Sequence, residues 1–303
     1  MDDAAIVRPD GAERSLVLTM DVVTPIVDDP RAFGAIAACN AISDVYAMGG
    51  RPELALTFLG VPTEVLGEAI VGEVLAGVHE VCQRARCAVV GGHTMKDSEP
   101  KCGLAVVGSV APDAVWSQRF AEPSDVLLLT KPIGTGLVGQ SVRGERADPE
   151  AVAAAVAQMT ALNDVACEVG IAHAARACTD ITGFGLLGHL RNLAEASEVT
   201  IELSASAVPR LPGALELAAS DCIPGGSRRN LAYASAITTF GADVDEPMQL
   251  LLADAQTSGG LLLAFPADRA EAALAELHER GLTFAARVGE VTGAAPAAVR
   301  VTP

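Results

Sequence analysis

Hydrophobic and polar positions follow two rhythms along the chain. Leu16–Met20, Leu54–Leu59, Ala88–Val90, Leu104–Val110 and Val126–Thr130 are short apolar or alternating runs bounded by Gly, Pro and Asp, the pattern of strands. Between them the period lengthens. Asp29-Pro30 supplies an N-cap and first-turn pair for a helix running to Gly49-Gly50, where the glycines end it. A second helix is predicted after Pro62-Thr63, with Leu66, Ile70, Val74, Val78 and Cys82 at steps of four on one face and Glu64, Glu68, Glu73 and Glu80 elsewhere. Further on, Glu150–Val169 and Gly185–Ala196 read as helices, and Gly259–Phe265 and Ala286–Val291 as strands. The alternation predicts an α/β or α+β chain. Ala111–Asp125 is polar, holds two prolines and the only Trp, and predicts a boundary between an N-terminal domain of residues 1–112 and a C-terminal α/β domain of residues 113–303. No fixed-period repeat or low-complexity tract interrupts this pattern.

Composition narrows the function. With 303 residues, half of them apolar, the chain is long enough for about two domains with sizeable cores, which excludes disorder, collagen and small disulfide scaffolds. Lys and Arg number 21 against 38 Asp and Glu, a net charge of −17, so the expected partners include neither nucleic acid nor an anionic membrane. A phosphorylated small molecule meets the same repulsion. It must arrive with metal cations or find a local nest of backbone N–H groups. The seven cysteines are scattered with no C-x-x-C, as expected of reduced, buried thiols in a cytoplasmic protein. The N-terminus is acidic where a signal peptide is basic, and the longest apolar runs fall far short of the ~18 residues of a membrane span.

Two stretches match G-x-G-x-x-G: Gly134-Thr-Gly136-Leu-Val-Gly139 and Gly183-Phe-Gly185-Leu-Leu-Gly188. Neither has the context of a dinucleotide site, a strand directly before and an acid ending a second strand ~20 residues on. The first nearly spells a P-loop, yet Gln140 stands where the phosphate-binding Lys belongs, so it reads as a tight structural turn.

Aspartates at element ends say more. Asp2-Asp3 precedes Ala-Ala-Ile, Asp21 follows a strand, Asp44 lies one helical turn after Asn40, and Asp180 sits in Cys-Thr-Asp-Ile-Thr-Gly-Phe-Gly. Carboxylates beside small residues suit Mg²⁺, which takes hard oxygen ligands and bridges protein acids to phosphates. Taken singly, each reads better as a cap or a solvated surface acid; Asp44 is the exception, inside an Ala-rich helix. Gly91-Gly92-His93-Thr94 follows a strand and reads either as a nest of backbone N–H groups for an anion or as a β-turn with a solvent His. Asp254-Ala-Gln-Thr-Ser-Gly-Gly260 reads as a capped turn, and His79, His173, His189 and His278 as structural. No Ser/His/Asp or Cys/His constellation assembles from spacing.

Together these blocks resemble the selenophosphate synthetase (selenide, water dikinase) family. The matching stretches are Asp2-Asp3-Ala-Ala, Thr24-Pro-Ile-Val-Asp-Asp-Pro30, Ala41-Ile-Ser-Asp44 through Gly50, Gly91-Gly-His-Thr94 with Glu99-Pro100, Thr130-Lys-Pro, Ala177-Cys-Thr-Asp180 through Leu190, Pro224-Gly-Gly226 with Arg229-Asn230, and Asp254 through Gly260. The resemblance implies a two-domain fold like aminoimidazole ribonucleotide synthetase, with an N-terminal ATP-binding and dimerisation domain pairing into a homodimer. It implies Mg²⁺ held by Asp3, Asp44 and Asp180, ATP contacted by Asp2, Asp21 and Asp44, and Gly92, His93 and Thr94 reaching the nucleotide of the partner subunit. The implied reaction converts ATP, selenide and water to selenophosphate, orthophosphate and AMP. Phosphoryl transfer of that kind rests on positioning and charge neutralisation.

One departure stands out. The family carries, ahead of the Asp-Asp pair, a glycine-rich segment with a Cys or selenocysteine and, three residues later, a Lys. Here Met1 directly precedes Asp2-Asp3, so both family residues would lie upstream of Met1 and no catalytic residue is assigned within residues 1–303. The expectation is that the sequence is truncated at its N-terminus and that residues 1–303 alone fold, dimerise and bind Mg-ATP but form little selenophosphate. The alternatives are a catalytically silent nucleotide-binding relative and another kinase of the same fold.

Overall fold

The computed structural model describes residues 2–62, 66–220 and 222–303. Met1, ahead of which the resemblance expects the Cys or selenocysteine and the Lys, lies outside the described residues. The chain folds into two compact units, the first comprising residues 3–115 with 159–164 and the second Asp2 with residues 116–158 and 165–303.

The N-terminal unit begins with β1 (Ala5–Val7), β2 (Ser15–Val23), α1 (Pro30–Ala47) and β3 (Arg51–Val61). It ends with α2 (Glu68–Arg84), β4 (Ala88–Lys96) and β5 (Lys101–Val110). The strands form one sheet in the order β1-β2-β5-β3-β4. Asp29 starts α1 as the sequence predicts, its carboxylate accepting from Ala32 N at 2.7 Å, with Pro30 as the first helical residue. Gly49, at φ +72°, ends it. From Phe33 to Ala47 nearly every residue of α1 is buried, because the sheet covers one side and α2 the other. That sandwiching explains why α1 shows no apolar stripe: a helix buried all round needs none.

The two helices meet backbone to backbone. A Cβ on Gly77 would lie 2.0 Å from the Arg31 carbonyl oxygen, and one on Gly34 1.9 Å from that of Val74. α2 is shorter than predicted and starts at Glu68, so Leu66 precedes it. The expected helix start at Thr63 and the Glu64 position lie outside the described residues. Val74, Val78 and Cys82 are buried, whereas Ile70 is exposed and lines an apolar pocket with Phe33 and Val61.

Strand alternation gives the sheet one covered face and one open face. Val17, Ala55, Leu59, Leu104 and Val106 are buried under the helices. Met20, Val22, Leu54, Leu56 and Met95 point the other way and are exposed.

The C-terminal unit opens with β6 (Val126–Leu129), α3 (Thr135–Arg143), α4 (Pro149–Met159), α5 (Asp164–Ala172) and β7 (Ala177–Asp180). It continues with α6 (Gly185–Ser197), β8 (Val199–Ser204), α7 (Ala214–Ala218), α8 (Gly225–Ala234) and β9 (Thr238–Phe240). It closes with α9 (Glu246–Leu252), β10 (Leu261–Phe265), α10 (Ala267–Glu279), β11 (Ala286–Ala294) and β12 (Ala298–Thr302). The sheet order is β7-β10-β6-β11-β8-β12-β9. β6 and β10 are apolar throughout and buried on both faces, as continuous hydrophobic runs require. The single helix predicted over Glu150–Val169 is two, α4 and α5. The break at residues 160–163 belongs with the N-terminal unit, where Asn163 Nδ2 donates to Ser43 Oγ at 2.9 Å and the Ala161 carbonyl accepts from Cys39 Sγ. A tertiary anchor thus overrides an apolar pattern that by itself continues the helix.

The close crossing of α1 and α2 is testable by a pair of substitutions on α2. Gly77→Val should lower the urea-unfolding free energy by about 2 kcal/mol or more, the cost of overpacking against backbone. Gly72→Ala, with nothing within 4 Å of the new Cβ, should be neutral or stabilising. Equal effects would refute the crossing.

Candidate functional site

In the N-terminal unit, the polar exceptions on α1 face the sheet. Asn40 and Asp44, one turn apart, reach the inward-facing residues of β2: Asn40 Nδ2 donates to Asp21 Oδ2 at 2.8 Å, and Thr19 Oγ1 donates to Asp44 Oδ2 at 2.5 Å. Burial pushes the Asp21 carboxyl up, and the Asn40 amide partly offsets it. Two predicted carboxylates therefore share one cluster. Thr19 is absent from the sequence expectation, although the strand's period of two places it on the same face as Asp21.

Asp3 also belongs to this unit, but Asp2 does not. Asp2 groups with the C-terminal residues, where its Oδ1 accepts from Ser117 Oγ at 2.8 Å and Gln118 N at 3.1 Å.

Gly92, His93 and Thr94 form neither a turn nor a loop nest. They continue β4 as part of the edge strand, paired in parallel with Thr57, Phe58 and Leu59, and all three are exposed. The parallel register explains Gly92: a Cβ there would lie 2.2 Å from the Thr57 carbonyl oxygen. The sequence expectation fails because Gly-Gly reads as a turn locally, whereas a strand partner holds it extended.

In the C-terminal unit, the motif blocks gather at one sheet edge. β6 and β7 are both antiparallel to β10, so both end where β10 begins. Asp180 is the last residue of β7 and is buried; the next amide, Ile181 N, donates to the Gly260 carbonyl at 2.9 Å. Lys131, just beyond β6, is buried too, and its Nζ donates to the Ser258 carbonyl at 3.1 Å. The carboxyl ends of parallel strands are where α/β sheets place ligands.

The first glycine motif is a structural turn whose anion cradle is already filled. Asp254 Oδ2 accepts from Gly136 N at 3.0 Å and Leu137 N at 3.1 Å at the start of α3. Gln256 Oε1 accepts from Gly134 N at 2.9 Å and Thr135 N at 3.0 Å. Ser227 Oγ and Gln256 Nε2 also donate to Asp254. Burial pushes this carboxyl up to about 7, against all of those hydrogen bonds. Neither Gln256 nor Ser227 is foreseeable in this role, since the partners lie about 120 and 27 residues away in sequence.

The second motif opens α6 beside Asp180 and is organised by a histidine. A backbone N–H can only donate, so His189 Nε2 accepts from Thr182 N at 3.1 Å and the ring proton sits on Nδ1. Nδ1–H then donates to Thr179 Oγ1 at 3.3 Å, and that hydroxyl donates to the Asp180 carbonyl at 3.3 Å. Burial pushes the imidazole pKa down to about 4.

Among the described residues no three His, Cys, Asp or Glu side chains form a ready metal cluster. Mg²⁺ does not need one, because it keeps waters and is held by one or two carboxylates plus phosphates. The buried carboxylates Asp44 and Asp180 are the hard donors it takes.

The neutral His189 should make folding acid-sensitive. Its folded pKa lies below the ordinary 6.5, so its contribution is complete above about pH 6.5 and is lost as pH falls towards 4. The stability advantage of the parent over His189→Gln should therefore shrink by about 3 kcal/mol over that window. Taking the difference removes the opposite slope from Asp254. Urea unfolding at pH 7 and pH 4 measures it, and a pH-independent difference would refute the neutral, accepting imidazole.

The profile of the AIR synthase related protein N-terminal domain matches residues 1–110, and that of the C-terminal domain residues 122–302. Among solved structures, thiamine monophosphate kinase from Aquifex aeolicus superposes with a TM-score of 0.72 at 20% identity, covering 100% of this chain and 94% of that one. Hydrogenase maturation protein HypE gives 0.71 at 24% identity, covering 97% and 84%. At that identity these show the fold, which is the one the sequence predicts. Curated relatives are much nearer. The selenide, water dikinase of Trichlorobacter lovleyi is 45% identical over 279 residues, 92% of this chain and 80% of that protein. Those of Porphyromonas gingivalis and Desulfitobacterium hafniense are 43% and 45% identical over 98% and 96% of this chain, and 85% and 84% of theirs. With both AIR synthase related domains present and identity of this order along nearly its whole length, the chain belongs to the selenide, water dikinase family.

Proposed function

We propose that this chain is an ATP-dependent phosphotransferase that turns ATP, selenide and water into selenophosphate, orthophosphate and AMP. The observation that carries this is the 41–45% identity to selenide, water dikinases over 92–98% of the chain. The site chemistry supports it. The glycine turn that most resembles a phosphate loop is filled by Asp254 and Gln256, so phosphate charge has to be met elsewhere. Asp3, Asp44 and Asp180 are the carboxylates we assign to Mg²⁺, which supplies charge neutralisation for the transferring phosphoryl groups. Thr19 orients Asp44 from the sheet, and Asn40 orients Asp21 from α1. We assign Asp2, Asp21 and Asp44 to the nucleotide, and Gly92, His93 and Thr94, on the exposed edge strand β4, to the nucleotide of the partner subunit.

The open apolar face of the N-terminal sheet supports a homodimer. Met20, Leu54, Leu56, Val90 and Met95 are each at least 40% exposed, more contiguous apolar surface than a monomeric sheet normally leaves to water. We place the protein in the cytoplasm; all seven cysteines are free thiols, and no helix among the described residues is long and apolar enough to cross a membrane.

Phosphorus NMR of Mg-ATP incubated with selenide tests the reaction. It is run on residues 1–303 and on the same chain preceded by the Cys/Sec–Lys segment of a relative, so that loss of chemistry is separated from loss of nucleotide binding. Selenide-dependent AMP and selenophosphate are expected from the chain carrying the added segment, with little from residues 1–303 alone, and Asp180→Asn should cut the rate of the former by roughly a hundredfold or more. ADP as end product, or no nucleotide binding in either chain, would sink the proposal. Sedimentation velocity tests the dimer: Leu56→Glu should give monomers, and an unchanged sedimentation coefficient would exclude this face.

A further inference from the structure

We propose that His189 is the positioning residue for Asp180, bracing the backbone on both sides of that carboxylate through its two ring nitrogens. The inference rests on the reading above of Asp180 as an acid that holds Mg²⁺ with the phosphates of ATP.

Asp180 is the last residue of β7, and the chain turns away from the strand just after it. The register with β10 ends at the pair Asp180 and Leu261. His189, in the second turn of α6, reaches back to the loop that starts its own helix. On one side it holds Thr182 N at 3.1 Å; on the other, Thr179 Oγ1 at 3.3 Å, which passes the restraint to the Asp180 carbonyl. Gln118 Nε2 donates to the same Thr179 hydroxyl at 3.3 Å, fixing it from a third direction. The imidazole is only 4% exposed, and the Phe184 ring lies edge-on at 5.9 Å.

Packing alone does not ask for an imidazole here. A Leu fills a buried gap without polar atoms to satisfy, whereas a buried histidine is tolerated only where both nitrogens find partners. These two partners flank one carboxylate. Outer residues that orient metal-binding acids typically set metal affinity by about 10–100-fold.

The test measures the ADP-dependent rise in melting temperature of the purified chain across a MgCl2 titration. His189→Leu should need roughly 10–100-fold more Mg²⁺ for half of that rise. His189→Gln, whose amide can accept from Thr182 and donate to Thr179, should return the midpoint close to that of the parent. Leu277→Ala, a buried change on α10 of the same unit, should lower the melting temperature without moving the midpoint. An unchanged midpoint in His189→Leu overturns the inference, as does a Leu277→Ala shift of equal size. Failure of the underlying reading looks different: the parent would show no Mg²⁺-dependent rise, or Asp180→Asn would keep the parent's midpoint.

Discussion

A carboxylate taken out of water has to be met by donors or by a cation, and in a chain carrying 38 acids against 21 bases that constraint shapes both units. Asp125 is met by the Arg176 guanidinium at 2.6 Å. Asp254 is met by two helix-start amides, a serine and a glutamine. Both solutions are internal and make those acids parts of the scaffold. Asp21 accepts from the Asn40 amide and Asp44 from the Thr19 hydroxyl, and both bonds fix the direction of the carboxylate. Asp180 sits at a strand end with its backbone braced from both sides. Asp44 and Asp180 are the buried acids that our proposal assigns to a cation arriving with its substrate.

The same logic separates the two glycine motifs. Both open helices, and both present amides that by geometry attract anions. In the first, the protein's own Asp254 and Gln256 occupy that position, and the motif becomes a joint between α3 and the approach to β10. In the second, His189 occupies the interior while the exposed Phe184 faces outward. The first motif's amides are thus taken by the chain itself, and the phosphate charge is assigned in our proposal to carboxylates and a cation. That agrees with a family whose reaction moves phosphoryl groups to a small inorganic nucleophile and to water.

The close crossing at Gly34 and Gly77 has a consequence for chemistry as well as for packing. Because α2 presses against the outer side of α1, the inner side of α1 is held against the sheet, and Asn40 and Asp44 are brought to Thr19 and Asp21. A bulkier contact would force the two helices apart, and α1 would lose the backing that seats it on the sheet. The small residues of α1, chiefly Ala and Gly, are thus a condition for the polar cluster.

How much of this was legible beforehand follows from the range of each interaction. The cap at Asp29, the end of α1 at Gly49, the strand cores of β2, β3, β5 and β6, and the isolation of Asp44 in an apolar helix are local, and one-dimensional periodicity reports them. The ordered motif blocks carried the family. The extension of Gly91–Thr94 into a strand, the break between α4 and α5, and the partners of Asp254 were not legible. Each depends on a neighbour distant in sequence: β3 beside Gly92, Ser43 beside Asn163, and Gly136 beside Asp254. The sequence by itself determined which residues had to be buried and which acids were out of place there. Only the tertiary structure decided what met each of them, because a hydrogen bond or a close contact between distant segments is set by packing and leaves no period in the chain.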